Sequence, residues 1–231
     1  KSANFPFVCA NVRDAAGKNL LPPYVILQRS FMDENGVSHD LRIGVIGFVP
    51  PQIMIWDRVH LDGKVTAQSI VASAHQFLPE LRAKCDLVIA LCHSGIGDGR
   101  RDLNVENVAE QVAALDEVDA IITGHSHRVF PGPDYAGRPG IDAQKGTLSG
   151  KPGVMPGFWG SHLGVIDLGL EQTDGRWRVA NSQVEVRRVG NNLPSRLADN
   201  FFWLGRYTER VDACARSLRA ALLRFSPETS G

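Results

Sequence analysis

The sequence lacks net charge, because its 25 Lys and Arg residues are balanced by 25 Asp and Glu residues. Without an overall field, the chain is not expected to bind a nucleic-acid polymer through long-range attraction. Any affinity for phosphate must then come from a local site. The sequence also lacks an apolar run of the ~18 residues that a membrane span needs, so no membrane partner is expected.

Cysteines are scarce and show no paired spacing. Of the four, Cys9 and Cys92 lie in apolar, strand-like runs, where a buried free thiol is favoured. An initiating methionine and a signal peptide are missing as well, since the chain begins with KSAN. We interpret this start as a cut in a longer chain, so the missing leader does not decide the compartment.

The length of 231 residues and an apolar content of 43% suit one α/β domain with a substantial core. Alternating and apolar runs predict strands at residues 7–12, 24–31, 39–49, 86–93 and 120–123, and a terminal hairpin at residues 163–189. Two helices are expected between strands, one capped by Thr66 and kinked or broken at Pro79, the other capped by Asn104. An irregular loop is expected at residues 130–150. This order predicts a mixed sheet covered by helices.

Two of the apolar strands end in histidine. DLVIALCHSG at residues 86–95 leads to His93, and AIITGHSH at residues 120–127 leads to His125 and His127. In an extended segment, residues i and i+2 point to the same side, so His125 and His127 can present both imidazoles to one spot. A lone His-x-His is only a weak signal for a metal site, because two histidines at this spacing also occur on protein surfaces. The repeated strand–histidine ending, however, predicts one site at the ends of neighbouring strands.

These motifs resemble those of the calcineurin-like metallophosphoesterases. LCHSGI and VDAIITGHSH are typical of their nucleotidase branch, and LRIGVIGFVPPQI with GVMPGFWGSHLGVIDL is similar to the periplasmic 2′,3′-cyclic-nucleotide 2′-phosphodiesterase/3′-nucleotidases. The resemblance covers residues 1–189 and implies part of a four-layer α/β/β/α sandwich with mixed sheets. It also implies a nucleotide substrate, a periplasmic location and two divalent ions of the Zn, Mn or Fe type.

The resemblance assigns roles to the three histidines. It implies that His93 and His125 bind one metal ion and that His127 binds the other. His162 and Asn11 are expected near the site, as residues that support the ligands or line the substrate loop; for Asn11 a turn-forming role is the alternative. Arg100 and Arg101 lie in a loop that could approach a phosphate or simply be solvated.

Other motifs of the resembled family are missing from this sequence. It contains no Asp-x-His and no Asn-His, and Gly97-Asp98 lies after His93, out of place for the family's bridging carboxylate. No catalytic residue is therefore assigned. Three neutral imidazoles without an anionic ligand are expected to hold at most one ion, and weakly. Asp98 is the carboxylate that could substitute.

The character of the sequence changes after residue 189. Apolar residues recur at steps of three and four from Leu197 to Leu222, which predicts one long amphipathic helix. The segment LPSRLADNFFWLGRYTERVDACARSLRAAL resembles the opening helix of the alpha-E domain. Residues 190–231 are thus expected to be a linker and an alpha-E-like helix, with a helical partner for residues 195–223. The alternative is a divergent linker helix that packs on the phosphoesterase domain.

Two functions remain open at this point. The first is part of a two-metal phosphoesterase for nucleoside 2′,3′-cyclic phosphates and 3′-nucleotides, inactive as these 231 residues stand. The second is a non-catalytic fusion or fragment whose helical tail mediates a protein interaction.

Overall fold

The computed structural model describes residues 3–97 and 106–189. The described strands are β1 Val12–Asp14, β2 Tyr24–Met32, β3 Ser38–Phe48, β4 Val65–Ala67, β5 Leu87–Cys92, β6 Ala120–Thr123, β7 Val129–Phe130, β8 Ile141–Asp142, β9 Thr147–Leu148, β10 Lys151–Pro156, β11 His162–Thr173 and β12 Arg176–Arg188. The described helices are α1 Ile53–Trp56, α2 Arg58–Leu61, α3 Ile70–Lys84 and α4 Ala109–Ala113, with one 3₁₀ turn at Pro133–Tyr135.

A mixed sheet forms the centre of the described part, in the order β2-β3-β5-β6-β10-β9-β8, with β7 pairing to β10. Strand β2 is antiparallel to β3, whereas β3, β5, β6 and β10 are parallel neighbours. The carboxyl ends of four parallel strands therefore meet at one edge. This confirms the mixed α/β architecture predicted from the sequence.

Helices α3 and α4 pack against each other and against the parallel strands, and together they close the main hydrophobic core. Helix α3 begins after Ser69, whose hydroxyl accepts a hydrogen bond from the Ala72 amide at 3.3 Å. The prediction of a Thr66 cap was wrong, because Thr66 lies in β4, which pairs with β1. The helix also continues through Pro79 without a break. Asn104 lies outside the described residues, and α4 starts only at Ala109.

The apolar run at residues 7–12 is buried but forms no strand before Val12, so this prediction was largely wrong. Its amides donate to different segments instead of one partner strand. The Cys9 amide donates to the Pro22 carbonyl at 2.9 Å, and the Ala10 amide donates to the Gly47 carbonyl at 2.7 Å. A Cβ on Gly47 would meet the Val8 carbonyl oxygen at 2.4 Å. The run therefore crosses β3 at close backbone contact and contributes side chains to a second core, with α1, α2 and β4.

Two predicted regions, residues 130–150 and the terminal hairpin, lie beside the parallel strands. Residues 130–150, expected to be irregular, contain the short strands β8 and β9. The terminal hairpin is confirmed as β11–β12, which packs on β10. The predicted C-terminal helix lies outside the described residues. None of the described helices is long and apolar enough to cross a membrane.

Candidate metal centre

The predicted histidines lie at the carboxyl edge of the parallel strands. His93 directly follows β5, and its amide donates to the Phe48 carbonyl at the end of β3 at 3.0 Å. His125 and His127 follow β6 after Thr123 and Gly124. This is the edge at which ligands bind in open α/β sheets.

The structure brings His93 and His125 into contact. Their ring centroids are 5.3 Å apart in an edge-on arrangement. The Gly124 amide donates to the Ser94 carbonyl at 3.3 Å, which joins the two strand exits. A Cβ on Gly124 would sit 3.4 Å from Nδ1 of His93, so glycine keeps the space beside this nitrogen open. His93 is 9% exposed, and its ring is therefore mostly shielded from solvent.

The backbone around His125 and His127 differs from the extended segment assumed from the sequence. Both residues have positive φ, 67° and 57°, whereas Gly124 is not among the positive-φ glycines. Non-glycine residues in this conformation cost about 1–3 kcal/mol each and cluster at functional sites. The two imidazoles also have different neighbours, because His127 stacks on Phe158 with centroids 5.4 Å apart. The metal roles of all three histidines remain predictions.

Two residues of the site were missed by the sequence analysis. Trp56, at the end of α1, stacks on the His125 ring at 5.0 Å and is 50% exposed. The Glu106 carboxylate contacts Nε2 of His125 through Oε1. No motif surrounds Glu106, and its position at the strand ends could not be deduced from periodicity. Glu106 thus places an anionic group beside one predicted ligand, whereas the expectation of three histidines without an anionic ligand remains a prediction.

His162 lies at the start of β11, next to the loop at residues 157–160. Its Nδ1 is 2.8 Å from the Ser161 hydroxyl, and a Cβ on Gly157 would come within 3.1 Å of the same nitrogen. The Gly157 amide donates to the Arg128 carbonyl at 3.1 Å, so this loop adjoins the segment after His127. A role in supporting the ligands or the substrate loop remains a prediction.

Asn11 braces the loop that follows β3. Its side-chain amide donates to the carbonyls of Val49 and Gln68 at 2.6 and 2.9 Å, and its Oδ1 accepts from the Val49 amide at 3.0 Å. The residue is fully buried, with 0% exposure, so it does not present itself to a substrate in this structure. A supporting role through the adjacent Phe48–His93 contact remains a prediction.

The donor groups fit part of a metal site. In residues 3–97 and 106–189, no three His, Cys, Asp or Glu side chains form a group with the geometry to hold an ion. His93 and His125 contact each other, and the Glu106 carboxylate contacts His125. Imidazole and carboxylate are ligand types that Zn, Mn and Fe accept. Burial raises the pKa of Cys92 to about 12, which keeps its thiol protonated and disfavours it as a ligand. Asp98, Arg100 and Arg101 lie outside the described residues.

Comparison with known proteins identifies relatives of most of this chain. It is 45% identical over 198 residues to the trifunctional nucleotide phosphoesterase protein YfkN of Bacillus subtilis, covering 85% of this chain and 14% of that protein. It is 46% identical over 189 residues to the 2′,3′-cyclic-nucleotide 2′-phosphodiesterase/3′-nucleotidase of Salmonella typhimurium, covering 81% of this chain and 29% of the relative. The chain thus spans less than a third of the length of these relatives.

A solved structure and a family model complete the comparison. The crystal structure of the calcineurin-like phosphoesterase YfkN from Bacillus subtilis superposes with a TM-score of 0.80 at 40% identity, covering 96% of this chain and 64% of that one. Residues 193–229 match Alpha-E, a predicted alpha-helical domain with a conserved ER motif. Over most of its length, therefore, this chain is homologous to the calcineurin-like phosphoesterases, and its residues 193–229 match Alpha-E.

Proposed function

We propose that residues 1–189 supply the histidine ligands His93, His125 and His127 of a two-metal phosphoesterase site. The substrates of this site are nucleoside 2′,3′-cyclic phosphates and 3′-nucleotides. The observation that carries this proposal is the contact between the His93 and His125 rings at the carboxyl edge of the parallel strands. The names of the Salmonella and Bacillus relatives supply the substrate class.

In the proposed reaction, the side chains of this chain hold and orient the metal ions, which activate water and neutralise charge. Two divalent ions, when bound, lower the pKa of a water molecule and neutralise charge on the phosphate oxygens. In such a site, His93 and His125 would hold one ion through imidazole nitrogens, and His127 would hold the other. Phe158, stacked on His127, fixes the plane of that ring. Shielding of His93 from solvent strengthens electrostatic interactions at its nitrogens.

We propose further that these 231 residues do not turn over substrate by themselves. The sequence has no Asp-x-His and no Asn-His motif, so the groups that hold the second ion and assist the leaving group in the resembled family are not supplied. The anionic Glu106 changes the expected strength of metal binding, but it does not replace a carboxylate shared between two ions. At most one ion is expected to bind.

Titration with Co²⁺ tests the metal site directly, because its visible absorption reports nitrogen ligands. The full chain is expected to bind about one Co²⁺ ion, and His125→Ala to weaken binding at least tenfold. His75→Ala, on the exposed side of α3, is the matched control and should bind like the parent. Equal binding by the parent and His125→Ala would overturn the proposed site.

Hydrolysis of 2′,3′-cyclic AMP, assayed with added Mn²⁺ or Zn²⁺, tests the second part of the proposal. No turnover above background is expected. Metal-dependent turnover that His125→Ala abolishes would show that another carboxylate completes the site.

A second candidate function is favoured by the Alpha-E match at residues 193–229. In this case the chain is a non-catalytic fusion whose C-terminal segment binds a helical partner. Sedimentation velocity compares the full chain with residues 1–189; a higher-order species formed only by the full chain supports this alternative, with a second copy as the partner. A monomer in both samples counts against self-association.

A further inference from the structure

The His125 ring is held on three sides in the described part of the chain. Trp56 stacks on one face with centroids 5.0 Å apart, and His93 approaches edge-on at 5.3 Å. The Glu106 carboxylate contacts Nε2. The side chains of His125 and Glu106 are 18% and 38% exposed, so water competes only partly for this contact.

The backbone fixes Glu106 in place independently of its side chain. Its carbonyl accepts a hydrogen bond from the Ser94 hydroxyl at 2.9 Å, and the same hydroxyl accepts from the Val108 amide at 2.8 Å. The next side chain, Asn107, accepts from the Gly95 amide at 3.0 Å. Residues 106–108 are therefore fastened to the exit of β5, beside His93, and Glu106 reaches across to the exit of β6.

A carboxylate beside one imidazole nitrogen determines where the ring proton lies. Because a carboxylate can only accept, a hydrogen bond between Glu106 and Nε2 requires the proton on Nε2, and in the neutral ring the lone pair then lies on Nδ1. Metal-binding histidines almost always donate their other ring N–H to such a group, which orients the ring and raises its basicity; losing the group typically costs 10- to 100-fold in affinity. A neutral imidazole with a free lone pair is the form that binds a metal ion.

We propose that Glu106 is a positioning residue that holds His125 in the Nε2–H tautomer, with Nδ1 directed to a divalent cation. This inference rests on the proposed function for the identity of the ligand, but not for the tautomer itself. Trp56 completes the arrangement by fixing the plane of the ring. The carboxylate thus acts through His125 and need not touch the ion or the substrate.

The tautomer of His125 can be measured in the metal-free protein by long-range ¹H–¹⁵N correlation, with the signal assigned by its loss in His125→Ala. The parent is expected to show His125 mainly as the Nε2–H form. Glu106→Ala should shift this ring toward a mixture of the two tautomers. Glu106→Gln keeps an acceptor oxygen and should retain the Nε2–H form. The exposed Glu171→Ala, on β11, is the matched control and should leave the ring unchanged.

Co²⁺ affinity is the second measurement on the same proteins. Glu106→Ala is expected to lose 10- to 100-fold and Glu106→Gln less, whereas Glu171→Ala should bind like the parent. An unchanged His125 tautomer in Glu106→Ala overturns the inference, whatever the affinity. If Glu106→Ala changes the His125 tautomer but the parent binds no Co²⁺, the positioning contact is supported and the metal site of the proposed function is overturned. Equal Co²⁺ affinity in the parent and Glu106→Ala overturns the role of Glu106 in metal binding alone.

Discussion

The buried amide of Asn11 connects three segments that meet behind the candidate metal centre. It bonds both backbone groups of Val49 and the carbonyl of Gln68, at distances of 2.6 to 3.0 Å. Val49 follows Phe48, whose carbonyl accepts from the His93 amide. One side chain therefore holds the end of β3 in the position from which it aligns His93.

Asn11→Ala is expected to destabilise the protein by about 3 kcal/mol, because it leaves the buried carbonyl and amide of Val49 and the part-buried carbonyl of Gln68 without this partner. Urea unfolding followed by circular dichroism gives the change in the free energy of unfolding. Asn35→Ala, at an exposed turn, is the control and should stay within about 0.5 kcal/mol of the parent. A loss below about 1 kcal/mol for Asn11→Ala would mean that water reaches the three groups.

The sequence predicted some residues of the site and missed others for a physical reason. His93 and His125 could be found because each follows an apolar strand, and the ends of neighbouring parallel strands meet. Glu106 and Trp56 could not, since neither directly follows a predicted strand and no motif surrounds either residue. The left-handed φ of His125 was missed as well, because the segment was assumed to be extended through both histidines.

At the scale of elements, an ion pair joins the start of β5 to β3. Asp86 accepts from the backbone amide of Arg42 at 2.8 Å and from its guanidinium at 3.2 and 3.3 Å. Burial acts to raise the pKa of Asp86, but the hydrogen bonds and charge of Arg42 outweigh it and hold the pKa below the ordinary value. The pair therefore stabilises the parallel register of β3 with β5.

Asp86→Asn is expected to cost about 1 kcal/mol at pH 7, since the charged bond to Arg42 is partly exposed and screened. Because folding lowers the pKa of Asp86, its contribution is fully present above the unfolded pKa of about 3.9 and is lost as the pH falls through the folded pKa. The difference between parent and variant should thus be largest at pH 5–7 and shrink toward pH 2. Urea midpoints across this range measure it, with the exposed Asp116→Asn as the control. A difference that is constant with pH would exclude the ion pair as its cause.

Element types followed from the sequence more reliably than element starts. Strands β2, β3, β5 and β6 were predicted because apolar residues and turn signals mark them clearly. The start of α3 was misplaced by three residues, since the cap is Ser69 and not Thr66, because β4 had no signal of its own. The run at residues 7–12 has the apolar content of a strand, but close backbone contact with Gly47 replaces regular pairing.

At the scale of the whole molecule, the two hydrophobic clusters of the described part draw their buried residues from Cys9 to Met155. The terminal hairpin packs on β10 and ends at Arg188, and the relatives in Bacillus and Salmonella align with 198 and 189 residues of this chain. The Alpha-E match begins at residue 193. These limits predict that residues 1–189 and 190–231 are separate units, which is the division expected from the sequence.

Deleting residues 190–231 is therefore expected to leave the urea midpoint and slope of the remaining domain unchanged, because no buried residue of either cluster is removed. The alternative is that the tail packs on the phosphoesterase segment. The side chains of Ile55 and Val59 are exposed and form an apolar surface that such a tail would cover. If the tail covers it, the shortened chain unfolds at lower urea, and Ile55→Ser with Val59→Ser lowers the midpoint of the full chain but not of the shortened one. A midpoint that deletion leaves in place, with no effect of the two serines in either chain, establishes that the phosphoesterase segment folds without the Alpha-E segment.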